Sequence, residues 1–244
     1  MYFIGDTHGV RPVFVIIDKH NLQGQNLIHV GDFGLGFQEI SRDLHDLSVL
    51  DEALLETDNK LFVVRGNHDN PIFWKKSAGL NLPKYHNIKL VDDYTVLKIE
   101  GKNILCVGGG ISIDRQLRKD DSPYPTWWAD EEFVYNNTEI ARVEKFYSKI
   151  DIVVTHSAPG FCHPTSDDVP IVNEWARIEQ HHGRNLKTEL KIERTNITSL
   201  HDRLVDSGLK PEKWIYGHFH STKKQVIAGT EFKLLNINEL YEVN

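Results

Sequence analysis

Leu61-Phe62-Val63-Val64-Arg65 runs straight into Gly66-Asn67-His68-Asp69. An apolar, β-branched run ending in a Gly-containing polar turn reads as a buried strand. Such a strand delivers polar side chains at its C-terminal end, where open α/β sheets place their ligand sites. Here an amide, an imidazole and a carboxylate arrive together. Each can bind a metal or move a proton, yet the same residues occur in ordinary turns and helix caps. What decides between these is whether other strands end in the same way.

They do. Tyr2 to Ile4 is a short strand that leads into Gly5-Asp6-Thr7-His8-Gly9, where the i, i+2 spacing places Asp6 and His8 on one face if the chain stays extended. A plain polar turn explains that pair equally well. Leu27 to Val30 ends in Gly31-Asp32, with His29 inside the strand as a hydrogen-bonded core histidine. Asp151 to Thr155 delivers His156, and Lys213 to Tyr216 delivers Gly217-His218-Phe219-His220. Ligand types that gather at five strand ends are not a chance distribution. Between these strands, amphipathic periodicity predicts helices over 10–21, 39–57, about 130–149 and most of 169–209. Further strands are expected over 87–92, 94–100 and 103–107, with a terminal hairpin around Gly229-Thr230.

The bulk numbers are those of an ordinary folded chain: 244 residues, 40% hydrophobic, 26% charged and a net charge of -7. One domain spanning 1–244 is expected, with cap-like loop segments around 111–129 and 157–195. The acidic balance disfavours a nucleic-acid or anionic-membrane binder. Two divalent ions with a bound hydroxide would lift the total only to about -4, yet would make the site itself positive. Cys106 lies in an apolar run and reads as a small core residue, so no disulfide is expected. With no apolar stretch of membrane-spanning length and no leader, the expected location is cytoplasmic, with no membrane and no obligate protein partner.

The donors are Asp, Asn and His without thiolate. They suit manganese first, with iron, zinc, cobalt or nickel as alternatives, and hold too much imidazole for a magnesium or calcium site. A carboxylate shared by two such ions suits in-line displacement at phosphorus.

The ordered set D-x-H, G-D, G-N-H-D, H and G-H-x-H, from Asp6 to His220, resembles the calcineurin-like metallophosphoesterase superfamily. The resemblance implies a four-layer αββα sandwich, an α/β fold of two mixed β-sheets flanked by helices. It implies two divalent transition-metal ions, the first on Asp6, His8 and His220, the second on Asn67, His156 and His218, with Asp32 bridging. It implies hydrolysis of phosphate mono- or diesters by a metal-bridging hydroxide, with His68 assisting the leaving group.

Protein Ser/Thr phosphatases of the superfamily read G-D-x-x-D-R-G where this chain reads Gly31-Asp32-Phe33-Gly34-Leu35-Gly36, and they lack the second histidine present here as His220. The chain is therefore more similar to the phosphodiesterase and small-molecule phosphatase branches, and a small-molecule or nucleotide phosphate ester is the expected substrate. Without that Arg, Arg115 is the expected phosphate-gripping cation and Arg118 the second choice; a surface Arg beside Asp114 is the bland alternative for Arg115. Trp127 and Trp128 read as packing anchors in preference to a stacking platform. His163 lies in a loop that can reach the site, His181 and His182 read as solvated, and Asp69 has no assigned role. Two further functions stay open: a scaffold that has kept the fold and lost catalysis, and a nuclease. The first is disfavoured because no ligand is missing. The second lacks a basic stripe, and only Ser221 to Asn244 follow the last motif.

Overall fold

The computed structural model describes residues 1–75, 84–120, 126–164 and 169–243. Strands β1 (Tyr2–Ile4), β2 (Asn26–His29), β3 (Lys60–Val63) and β4 (Ile88–Leu90) run parallel, and β11 (Leu240–Glu242) closes that sheet antiparallel to β1. The second sheet has the order β5-β6-β7-β8-β10-β9. In it β6 (Lys102–Val107), β7 (Ile152–Thr155), β8 (Lys213–Tyr216) and β10 (Thr230–Leu234) are parallel, while β5 (Thr95–Ile99) and β9 (Lys223–Ile227) pair antiparallel at the edges.

The period-two alternation of the strands sorts their side chains into separate cores. Phe3, Ile28 and Val64 meet Cys106, Val154 and Ile215 between the sheets. Their neighbours Ile4, Leu27, Leu61 and Val63 face outward onto α1 (Arg11–Lys19) and α2 (Ile40–Glu56), through Val13, Ile16, Leu47, Leu50 and Leu54. On the far side Leu105, Val107, Val153, Trp214 and Tyr216 pack on α4 (Asn137–Phe146) and α6 (Leu186–Asp206). The result is the αββα sandwich, helix layer on sheet on sheet on helix layer.

The expected elements form with three differences. The helix foreseen over 130–149 begins only at Asn137, because Asn136 caps it: the Asn136 side chain accepts from the Thr138 and Glu139 N–H groups. A five-residue helix, α3 (Arg115–Lys119), lies in the stretch expected to be irregular. Strand β11 has only three residues and too little pattern to be foreseen, and is held by its ladder to β1. Between β7 and α6 lie a single 3-10 turn (Gly160–Cys162) and α5 (Pro170–His181). Residues 121–125 of the cap-like segment expected around 111–129, and residues 165–168 of the one expected around 157–195, fall outside the described residues. No helix among the described residues is long and apolar enough to cross a membrane.

Candidate metal centre

Parallel registration sets the site. Ile4 lies opposite His29, and His29 opposite Val63, so β1, β2 and β3 end level and release their loops at one edge. Val107 opposite Thr155 and Val154 opposite Ile215 do the same in the second sheet. Within each edge adjacent loops are joined by backbone donors: Thr7 N–H and His8 N–H donate to the Asp32 carbonyl at 3.1 and 2.9 Å, and Gly217 N–H donates to the His156 carbonyl at 3.1 Å. His68 N–H donates to Asp32 Oδ1 at 2.8 Å, and His218 N–H to Asp6 Oδ2 at 2.9 Å.

These loops bring all seven expected ligands to one place. Donor atoms of Asp6, His8, Asp32 and His220 lie within 4.8 Å of one another, as do those of Asp32, His156 and His218. Asp32 belongs to both groups. Asn67 Oδ1 lies 3.0 Å from His156 Nε2, which places the amide oxygen at the second group. Four of these residues, His8, Asp32, His218 and His220, have φ between 46 and 70°, in the left-handed region. Each such residue costs about 1–3 kcal/mol, a strain that collects where side chains must be aimed. Two glycines let the loops close on the carboxylates. A Cβ on Gly66 would lie 2.1 Å from Asp32 Oδ1, and one on Gly217 2.1 Å from Asp6 Oδ1.

The donor set fits a pair of divalent ions. His8 Nε2 and His220 Nε2 face each other at 3.0 Å, a contact in which only one nitrogen can carry the proton, and Asp6 Oδ2 lies 3.4 Å from the same His220 nitrogen. Lone pairs thus converge on a common point. Asp32 and His156 are fully buried. Burial by itself would raise Asp32, but His156 and His68 outweigh it and hold the carboxylate well below its usual range. Burial likewise depresses His156, yet Asp32 lifts it to about 9. His218 is pushed well down by burial and by His156. His220 is raised, first by its hydrogen bond to Asp6.

His29 lies behind the cluster as the core histidine its strand position suggested. Its Nδ1 accepts from Gly31 N–H and its Nε2–H donates to Thr7 Oγ1 at 3.0 Å. Burial lowers it to about 3, far below its ordinary 6.5. A histidine that folds neutral stabilises the protein fully above 6.5 and loses that contribution as pH falls toward 3. The metal-free protein should therefore lose about 2 kcal/mol at pH 5 through this residue alone. Urea unfolding from pH 7.5 to 5 checks it: His29→Gln should show a shallower fall than the wild type, and parallel slopes would refute it.

A match to the family model of calcineurin-like phosphoesterases covers residues 1–222. The chain belongs to the calcineurin-like phosphoesterase family. Members of this family act on phosphate esters and use divalent metals. No curated protein matches the sequence as a relative. Among solved structures the chain is similar to the phosphopantetheinyl hydrolase of Mycobacterium tuberculosis, at 16% identity and TM-score 0.46, over 87% of this chain and 79% of that one. A second solved structure matches at 13% identity and TM-score 0.51, over 97% and 90% of the two chains. A third, GAP50, the inner membrane complex anchor of Plasmodium, matches at 12% identity and TM-score 0.38, over 97% and 71%. At 13% identity the second of these shows likeness of fold alone.

Within this calcineurin-like phosphoesterase, the foreseen phosphate-gripping residue is placed otherwise. Arg115 is 1% exposed, and its Nη2 donates to Glu179 of α5 and Glu189 of α6 at 2.8 and 2.5 Å. Its charge is committed to that pair, and two carboxylates from helices over sixty residues away in sequence are invisible to local reading. Arg118, the second choice, lies beside the cluster. It donates to the Asn67 carbonyl at 3.1 Å and to Ser112 Oγ. Ser112 Oγ in turn accepts from Asn67 Nδ2 at 2.9 Å, which turns Asn67 Oδ1 toward His156. Glu131 Oε1 accepts from Ser112 N–H at 2.8 Å and from Trp127 Nε1–H at 3.1 Å, so Trp127 anchors this network. The Phe37 ring stacks on His68 with centroids 5.3 Å apart, and Trp128 packs on Phe37. His163 reaches the cavity beside the cluster, as its loop position allowed. His181 is exposed at the end of α5, its Nδ1–H donating to the Arg177 carbonyl.

Sequence reading left Asp69 without a role. The structure gives it four backbone N–H donors: Phe33, Gly34, Leu35 and Gly66, at 3.2, 2.7, 3.2 and 2.7 Å. Burial and the Asp32 charge push it up to about 6 against the pull of these donors. The available signal was the run Gly31 to Gly36, a glycine-rich turn whose N–H groups need an acceptor.

Proposed function

We propose that this chain is a dinuclear metal-dependent phosphoester hydrolase, with Asp6, His8 and His220 holding one ion, Asn67, His156 and His218 the other, and Asp32 shared. The observation that carries this reading is the membership of Asp32 in both donor groups. When bound, such a pair supplies Lewis-acid polarisation of phosphoryl oxygens and a water of lowered pKa. The chain supplies the rest. Ser112 and Arg118 orient the Asn67 amide, and the hydrogen bonds from His68 N–H and His218 N–H fix the two carboxylates. Aspartates 6 and 32 are fully desolvated, so their charge acts in a medium where it is weakly screened.

His68 is not a ligand in this reading. Burial lowers it to about 4, with Asp32 opposing and Arg118 assisting, so it is neutral at pH 7. A neutral imidazole held by Phe37 presents an N–H to an oxygen that gains charge as the ester bond breaks. His68→Asn should then lower kcat by about 10²–10⁴ with metal content unchanged. The measurement is turnover of p-nitrophenyl phosphate and of bis-p-nitrophenyl phosphate with manganese first, then iron, zinc, cobalt and nickel, alongside metal analysis. Absence of turnover on either ester under every metal would remove the enzyme reading, and the ratio of the two rates assigns monoester or diester preference.

A further inference from the structure

We propose that the ester accepted by this site carries an apolar organic group, seated in a lobe walled by Ile111, Ile113, Val172, Trp175 and Leu190. This rests on the phosphoesterase reading and adds the class of substrate to it. A cavity of about 460 Å³ has Asp32, Asn67, His68, His218 and His220 at one end and these five residues at the other. That volume lies in the range that encloses a small organic ligand. The polar end is the place for an anionic phosphoryl group, and the apolar residues line the space beside it into which the body of the molecule can extend.

The lobe is apolar for a structural reason. Ile111, Val172, Leu186 and Leu190 form a small core of their own where the segment after β6 meets α5 and α6. Ile113 and Trp175 pack against it and remain half-buried, and Ile171 beside them is 50% exposed. Apolar side chains are thus left facing the same space as the metal-type donors. Phe219, edge-on to His163 at 4.5 Å, continues this wall toward His218. Asp114, His163, Arg194 and Glu193 also line the cavity; Glu193 is 4% exposed, its Oε2 accepts from Ser157 Oγ–H at 3.0 Å and its Oε1 has no hydrogen-bond partner. Against the wall of Ile111, Ile113, Val172, Trp175 and Leu190 an alkyl or aryl body would bury its surface, whereas hydroxyls would meet no polar side chain of these five.

Non-hydrolysable alkylphosphonates test this without turnover. Titrated calorimetrically into the manganese-loaded protein, methyl-, butyl- and hexylphosphonate should bind progressively tighter, by two- to about fourfold per methylene, the upper figure being that of complete burial. Trp175→Ala and Ile113→Ser, both at half-buried positions, should flatten that series. A series that is flat in the wild type, or absent binding of every member, overturns the lobe. Hydrolysis of p-nitrophenyl esters together with a flat series overturns the lobe alone. A steep series without hydrolysis of any ester supports the lobe and removes the catalytic reading.

Discussion

Asp32→Ala will leave the protein unable to hold two equivalents of divalent metal and will lower kcat/KM on a phosphate ester by roughly 10³ or more. Among the described residues Asp32 alone is placed in both donor groups, so its loss removes a ligand from each. It also removes the acceptor of His68 N–H and the anion 3.0 Å from His156 Nε2. Asp32→Asn keeps the shape and one oxygen but not the charge, and should retain no more than one ion. A second signature follows from His156, which Asp32 lifts to about 9 in the metal-free protein. Below that pH the incoming metal must displace a proton, so apparent affinity should rise with pH, by up to about tenfold per unit, and level off near 9. In Asp32→Asn the cause of the raised pKa is gone, and any residual binding should depend less on pH. Metal analysis after dialysis, with titrations between pH 6.5 and 9, measures both effects. An Asp32→Ala protein with two tightly bound ions and full turnover would defeat the dinuclear reading.

The expected ligand residues that the structure gathers share one physical property. Asp6, His8, Asp32, Asn67, His156, His218 and His220 each follow a strand by a few residues. Parallel strands of matched register bring such residues together without further information, so local pattern suffices to gather them. The layering is implied by the resemblance; in the structure Phe3 against Ile4 and Cys106 against Leu105 alternate between cores with the period of two. Arg115 shows the limit. Its neighbours in sequence, Asp114 and Gln116, do not decide its role; Glu179 and Glu189 do, and they reach it through the packing of α5 and α6 beside α3. The late start of α4 is set by Asn136, whose side chain accepts from the Thr138 and Glu139 N–H groups. The backbone strain at His8, Asp32, His218 and His220 has no sequence signature in non-glycine residues, and becomes visible only as geometry.

Asp69 is the position where the missing information is structural and its expected effect large. Its two carboxylate oxygens accept four buried or half-buried N–H groups, three of them in the turn that carries Asp32 and one from Gly66. Asp69→Ala leaves those donors without a partner, at about 1–3 kcal/mol for each that water cannot reach. For a protein whose whole stability is about 5–15 kcal/mol, that threatens folding itself. Asp69→Asn is therefore the sharper experiment. Its amide keeps one oxygen for two of the donors and turns an NH₂ against the others, with an expected loss of about 2–3 kcal/mol and a fall in Tm of about 5–10 °C. Because the turn it releases holds Asp32, kcat/KM should fall as well, although Asp69 lies outside both donor groups. Thermal unfolding with and without manganese separates the two consequences: the metal-dependent rise in Tm should shrink in Asp69→Asn, since the ions would be stabilising a loop that no longer holds its ligand in place. A variant with wild-type Tm and an undiminished metal shift would show that the four hydrogen bonds do not tie the Gly31–Gly36 turn to Gly66.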